Sequence, residues 1–329
     1  MKVTALKGGQ FLDNSAAAEA AHTGMGTEMA HKAFGRHSVQ ALRAVENEAQ
    51  RLERLLSRFR PESDISRINR SAGVKREKIS SETYKILSCA MECSVIFQGL
   101  FDISVGPLAD LWDYKHALEP PANNKIELVL PLVNFKNLEL DAVHQEAGLK
   151  NSGQAVDLGG IGKGFVSDRF MEIFQEYGVT SAFSNIGGNV STLGNKPDGS
   201  PWRVGIRHPR LNGLLGAVAV TGKAVVTSGD YERYFLDKEG RRFHHILNPI
   251  TGYPAESGLV SVTVIADSAM TADALSTAVF VAGLERGLAL IEKYPHSEAV
   301  LVNAELQVYV TRGLRKCFQA AAGINVNYV

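Results

Sequence analysis

From Arg36 to Phe59, apolar residues return every third or fourth position: Val39, Leu42, Val45, Leu52, Leu55, Leu56 and Phe59. Charged residues fill the intervals, so the stretch predicts a long amphipathic helix closed by Phe59. The polar segment "RPESDISRIN" breaks it at Pro61. A second helix is expected in "SSETYKILSCAMECSVIFQG", capped by Ser81 or its neighbour and closed by Gly99. "EPPANNK", residues 119–125, reads as a loop and a candidate subdomain boundary, and "DRFMEIFQEYG", residues 168–178, as a short helix. Then the period changes. "WRVGIRH", "GAVAVTG", "KAVVTSG" and "LVSVTVIA" alternate β-branched residues between glycine turns and predict strands. "SAMTADALSTAVFVAGLERGLALIEKY" returns to helix, and "AVLVN" with "LQVYVT" predicts a closing hairpin. Helices interspersed with hairpin-linked strands place the chain in the α+β class.

Composition narrows the function more than the fold. The 329 residues, 45% hydrophobic and 21% charged, suffice for one large domain or two sharing a core. Thirty-five basic residues balance 35 acidic ones, so no field of one sign attracts nucleic acid or an anionic membrane. Any partner must be recognised by a site. Cys89, Cys93 and Cys317 are too sparse for a disulfide framework and point to a reducing compartment. Cys89 and Cys93 lie four apart and read as small core residues of a helix, not as zinc ligands. The first 24 residues have no continuous apolar run and read as a loosely held tail, with residues 25–329 as the domain. No segment reaches the length of a membrane span, and a cytoplasmic location is expected.

Candidate chemistry gathers in glycine-rich turns. In "DLGGIGKGF", residues 157–165, Lys163 is followed by Gly164, which excludes a P-loop, and the glycine spacing excludes the dinucleotide fingerprint. Bare backbone still lets phosphate oxygens or a metal come close, although a tight strand-to-helix turn uses the same residues. "SNIGGNVSTLGNKPDG" (184–199) and "TSGDYERYF" (227–235, with Asp230, Tyr231 and Arg233) are further tight turns. In "HHILNPITGYP", His244 and His245 face opposite sides of an alternating strand, so at most one enters a given site. Asp273 and Thr277 in "TADALSTAV" share one helix face. Carboxylate plus hydroxyl suits Mg²⁺, which shares its substrate's phosphates; a solvated helix face with Thr277 bonded back to a carbonyl is the alternative.

Six segments stand in a telling order: "FDISVGPLADLW", "DLGGIGKG", "SNIGGNV", "TSGDYERYF", "HILNPITG" and "DALSTA". Together they make the chain, from "MGTEM" at Met25 to the final hairpin, resemble the ApbE family of Mg²⁺-dependent FAD:protein FMN transferases. The resemblance implies a T-fold-like α+β architecture with largely antiparallel sheets and two closely packed halves with the site between them. It also implies transfer of FMN from FAD to a threonine (or serine) hydroxyl of an acceptor flavoprotein, releasing AMP. It places FAD against Met25, Phe59, Leu100, Phe101, Asp102, Asp157, Lys163 and Leu247. It places Mg²⁺ at Gly160, through its carbonyl, with Asp273, Thr277 and the adjacent Ser276. His245 matches the histidine near the reacting phosphate, where a neutral imidazole takes the acceptor's proton. An FAD pyrophosphatase and a non-catalytic flavin-binding protein are the rival readings. Many members of that family are exported lipoproteins; with no lipobox cysteine near the start, a cytoplasmic acceptor is expected, such as a fumarate-reductase-like flavoprotein.

Overall fold

The computed structural model describes residues 17–329. Among them are eight α-helices: α1 (Ser38–Leu56), α2 (Asp64–Arg70), α3 (Ser81–Ile96), α4 (Gly106–Trp112), α5 (Asn123–Val129), α6 (Gly162–Glu176), α7 (Ala269–Ala282) and α8 (Leu284–Glu292). The first strands are β1 (Ala17–Gly24), β2 (Thr27–Phe34), β3 (Glu77–Lys78), β4 (Leu138–Asp141), β5 (Glu146–Leu149), β6 (Ser181–Ile186) and β7 (Asn189–Leu193). Next come β8 (Trp202–Arg207), β9 (Leu214–Val220), β10 (Ala224–Gly229), β11 (Tyr234–Leu236) and β12 (Arg242–His244). The last are β13 (Leu259–Ala266), β14 (Glu298–Asn303), β15 (Val308–Val310), β16 (Phe318–Ala320) and β17 (Val326–Tyr328).

The main sheet runs β1-β2-β6-β7-β10-β13-β14-β15-β17, and its neighbours are antiparallel except the parallel β15–β17 pair. Helices α1, α6 and α7 cover one face, and the small β16-β9-β8 sheet supplies the core of the other. The central strand β13 is buried at every residue because both faces are covered. Val262 and Val264 join the helix-side core with Leu275 and Val279, whereas Ile265 joins Trp202, Val204 and Val218 on the other side. Each such burial contributes roughly 1.5–3 kcal/mol. A third cluster, built on Trp112, Leu108, Ile126, Phe235 and Leu247, seats the β11–β12 ribbon on α4 and α5.

The α+β class and its antiparallel pairing are as the pattern predicts, including the β14–β15 hairpin. Four details differ. Residues 17–24, expected in a loose tail, are β1, zipped to β2 from Ala17↔Phe34 to Gly24↔Thr27; the rest of that tail lies outside the described residues. Alanine-rich "AAEAAHTG" carries little intrinsic strand preference, and the neighbouring strand decides its conformation. Helix α1 stops at Leu56, where Ser57 turns extended, so Phe59 lies beyond the helix and is 76% exposed. Helix α5 begins inside "EPPANNK", at Asn123. The last long helix is broken at Gly283, whose φ of 82° only glycine adopts readily. Ser80, the neighbour of Ser81, caps α3 by accepting the Thr83 N–H at 3.1 Å.

Candidate active site

The glycine run does not precede the helix; it becomes the helix. Gly162 is the first residue of α6, and at Gly164 a Cβ would stand 2.3 Å from the Ala269 carbonyl oxygen. Gly164 is therefore required by the crossing of α6 and α7. Two carboxylates tie that crossing. Asp168 of α6 accepts the N–H groups of Ala269 (2.6 Å) and Met270 (3.0 Å) and the Ser268 hydroxyl (2.7 Å), closing the N-terminus of α7 where the helix dipole favours an anion. Asp273 of α7 accepts the Gly164 N–H at 2.9 Å.

Around Asp273 the donors are oxygens. The carboxylate is 4% exposed, and burial pushes its pKa up while the Lys163 ammonium opposes that rise. Ser276 donates to the Asp273 carbonyl at 2.9 Å and shares a 2.8 Å hydrogen bond with Ser228 of β10. Thr277 does bond back to that carbonyl, at 3.3 Å, yet the helix face is buried, not solvated. Residue 160 presses against it: a Cβ on Gly160 would lie 3.3 Å from Thr277 Oγ1 and 3.1 Å from the Phe101 ring. Asn189, at the start of β7, accepts from Lys163 Nζ at 3.3 Å. Its amide nitrogen makes no hydrogen bond of normal geometry, but lies near enough to Asp273 to favour the carboxylate. Gly160, Lys163, Asp273, Ser276, Thr277 and Phe101 thus converge. Among the described residues, no three His, Cys, Asp or Glu side chains cluster as a metal group, and Asp273 is the one carboxylate here.

Beside this junction lie the expected nucleotide contacts. Met25, in the β1–β2 turn with φ of 51°, brings its methyl 3.8 Å from where a Cβ on Gly162 would be. Asp157 is already engaged: Oδ1 accepts the Gly159 N–H at 2.7 Å, and Oδ2 accepts from Arg58 at 2.6 Å, with Arg58 also bridging to Asp110. Phe59 follows Arg58, and the cations Arg58 and Lys115 stand 5.4 and 5.3 Å from its ring. Asp102 is likewise committed, accepting from Ser104 N and Oγ (both 2.7 Å) and from Phe135 N (2.9 Å), while burial raises its pKa. It lines a cavity of about 320 Å³ with Phe135, Lys136, Pro249 and Ile250, next to the buried Leu100 and Phe101. Leu247 is buried in the Trp112 cluster, so its side chain is not exposed to a ligand. A larger groove of about 540 Å³ between α1 and α6 shares no residue with the site.

His245 approaches from the ribbon. Its N–H and its Nδ1 meet the Arg233 carbonyl at 3.0 and 3.1 Å. A carbonyl can only accept, so Nδ1 carries the proton and Nε2 keeps its lone pair. Burial lowers its pKa to about 4, helped by the charges of Arg233 and Lys163. His244 turns the other way, edge-on to Phe280, with Nε2 3.2 Å from the Ala255 carbonyl. Alternation had given that opposition. Arg58, Asp168 and Ser228 carry no sequence signal, because their partners are distant in the chain; Asn189 was visible only as part of the "SNIGGNV" turn.

The ApbE family model matches residues 25–301. The chain belongs to the ApbE family. Among ApbE relatives, an FAD:protein FMN transferase of Klebsiella pneumoniae is 34% identical over 272 residues, spanning 82% of this chain and 84% of that one. A protein of the same name from Treponema pallidum is 31% identical over 291 residues, 83% and 80% of the two chains. The crystal structure of the ApbE protein from Thermotoga maritima superposes with a TM-score of 0.83 at 31% identity, over 92% and 98% of the chains. The flavinyl transferase ApbE of Pseudomonas stutzeri, in its apo form, gives 0.82 at 30% identity, over 93% and 98%.

Proposed function

We propose that this chain transfers FMN from FAD to a threonine or serine hydroxyl of an acceptor flavoprotein, releasing AMP. The observation that carries the reading is the convergence of Asp273, Thr277 and the Gly160 backbone beside Lys163, with an unprotonated His245 Nε2 on the neighbouring ribbon. The acceptor hydroxyl oxygen attacks the FMN-side phosphorus as its proton passes to His245 Nε2. The bond from that phosphorus to the bridging oxygen breaks, and the oxygen leaves with AMP. The ammonium of Lys163 lies where a diphosphate needs a cation, and Met25, Phe59 and Phe101 supply apolar surface for the ring systems. Asp157 acts by shaping the loop, since both its oxygens are occupied in the folded chain.

Magnesium fits these donors: a buried carboxylate held by one N–H, a hydroxyl and a close-packed bare backbone are hard oxygen ligands. Asp273, Thr277 and the Gly160 carbonyl would hold it, with Ser276 alongside. When bound, the ion supplies charge neutralisation on the diphosphate and the departing AMP. Among the described residues no helix is long and apolar enough to cross a membrane. The three cysteines are free, which suits a reducing compartment, and we place the reaction in the cytoplasm.

The test combines the purified chain, FAD, magnesium chloride and a candidate acceptor, read by intact mass and by AMP release. One FMN added to an acceptor threonine or serine, with AMP formed only when acceptor is present, supports the reading. Free FMN and AMP formed equally fast without acceptor would make the protein a pyrophosphatase instead. FAD bound but uncleaved would make it a carrier.

A further inference from the structure

The mechanism so far leaves one cation of the "TSGDYERYF" turn unused. Strands β11 and β12 pair in the register Tyr234↔His244, and the hydrogen bond from His245 N to Arg233 O continues that ladder by one residue. Directly opposed residues of an antiparallel pair project from the same face, with Cβ atoms roughly 4.5–5.5 Å apart. Arg233 and His245 are therefore side-by-side on one face of the ribbon, opposite to the buried His244. The neighbouring arginines are committed. Arg210 clasps Asp230 through two contacts of 2.7 and 2.6 Å, Arg242 reaches the same carboxylate at 3.4 Å, and Arg241 holds Asp237 at 2.7 Å. Arg207 pairs with Glu232 at 3.4 Å. The exposed guanidinium of Arg233 makes no hydrogen bond or ion pair with any described residue.

An uncommitted guanidinium one strand away from the proton acceptor has a definite chemical consequence. A hydroxyl that hydrogen-bonds to His245 Nε2 while attacking phosphorus brings the non-bridging phosphoryl oxygens within reach of the same face. Lys163, held by Asn189 at 3.3 Å, acts on the imidazole through its charge, from α6 and not from the ribbon. The two cations thus act on the imidazole from different elements. We propose that Arg233 is a further catalytic residue, whose guanidinium donates hydrogen bonds to the non-bridging oxygens of the phosphoryl group under attack. This rests on the FMN-transfer reading. Arg233 differs from Lys163 in offering a planar fork, which matches two phosphoryl oxygens at once.

The experiment uses the full chain with FAD, magnesium chloride and acceptor, comparing wild type with Arg233→Gln and Arg233→Lys. FAD affinity is read separately by flavin fluorescence, and folding by thermal unfolding. The expected result for R233Q is a kcat lowered about 10²–10³-fold, the loss typical of one donor to developing charge, with FAD affinity within about threefold of wild type. R233K keeps the charge and loses the fork, so it should retain an intermediate kcat. An R233Q enzyme with kcat within threefold of wild type overturns the proposal. So does a loss confined to KM for the acceptor or to FAD affinity, which would make Arg233 a docking residue. Should R233Q fail to fold, R233K decides alone: reduced kcat at unchanged FAD affinity supports the role, and unchanged kcat removes it. A wild-type chain that never cleaves FAD would instead defeat the transfer reading itself.

Discussion

The two sides of the site are built to different standards. At the α6–α7 junction every functional side chain is locked: Asp273 by Gly164, Ser276 by Ser228, and the helix ends by Asp168. The β11–β12 ribbon has three-residue strands, with Tyr234 and Leu236 40% and 52% exposed, and it holds His245 through a single carbonyl. Its attachment is aromatic: Phe235 and Phe243 stack at 5.4 Å, and Phe243 lies 5.6 Å from Trp112, whose indole N–H donates to the Gly252 carbonyl at 2.9 Å. Few buried contacts mean lower local stability. The comparison teaches that the part proposed to hold the small-molecule substrate is preformed in the core. The part proposed to bring the proton acceptor is carried on a short, partly exposed surface ribbon.

Breaking the ribbon side should cost chemistry and leave stability alone. His245→Gln removes the proton acceptor and should lower kcat about 10²–10⁴-fold, with the unfolding midpoint little changed. Because its folded pKa is depressed to about 4, His245 stays neutral well below pH 6.5, and the wild-type rate should fall only as pH approaches 4. An acid limb near 6.5 would contradict the environment described. Breaking the junction side should cost stability first. Gly164→Ala places a methyl against the Ala269 backbone and should cost about 3 kcal/mol or more of stability, seen in urea unfolding, because helices pushed apart cannot repack cheaply. A G164A protein as stable as wild type would remove the close crossing.

A smaller effect separates the regions by pH. His31, beneath the helix layer, bonds Ser184 at 2.8 Å, meets Phe170 edge-on and lies 5.0 Å from the His22 ring. Burial, reinforced by His22, lowers its pKa to about 3; burial also lowers that of His22, where Glu46 acts the other way. The unfolded chain therefore binds protons that the folded one refuses, so stability is full above pH 6.5 and falls as pH drops toward 3. Unfolding followed from pH 7 to 4 should show that loss, and His31→Gln should flatten it. The mildest change is Arg58→Gln, which frees Asp157 from a largely buried ion pair. It should raise KM for FAD about fivefold, near 1 kcal/mol, with kcat within twofold. An unaltered KM would mean that the loop holds its shape without the pair.

What could be read in advance followed from local chemistry. The strands β8, β9, β10 and β13 announced themselves by β-branched alternation, and Asp273 with Thr277 by helical spacing. Strand β1 did not, because alanines adopt its conformation only once β2 is beside them. Phe59 continued a hydrophobic period past the point where Ser57 ends the helix. The glycine run was read as room for phosphate or metal or as a tight turn, and at Gly164 it is the backbone of α7 that fills the room. Asp157 was read as a nucleotide contact, and its pairing with Arg58, 99 residues away in the chain, was not legible. For Gly164 and Asp157 the missing information was a distant partner.

The most direct measurement is a crystal soaked with FAD and manganese as a magnesium substitute, with the metal located by anomalous scattering. The expected result is a peak bound by the Asp273 carboxylate, Thr277 Oγ1 and the Gly160 carbonyl, against the FAD diphosphate and facing His245. A metal and diphosphate bound elsewhere, with Asp273 still holding only the Gly164 N–H, would contradict the account.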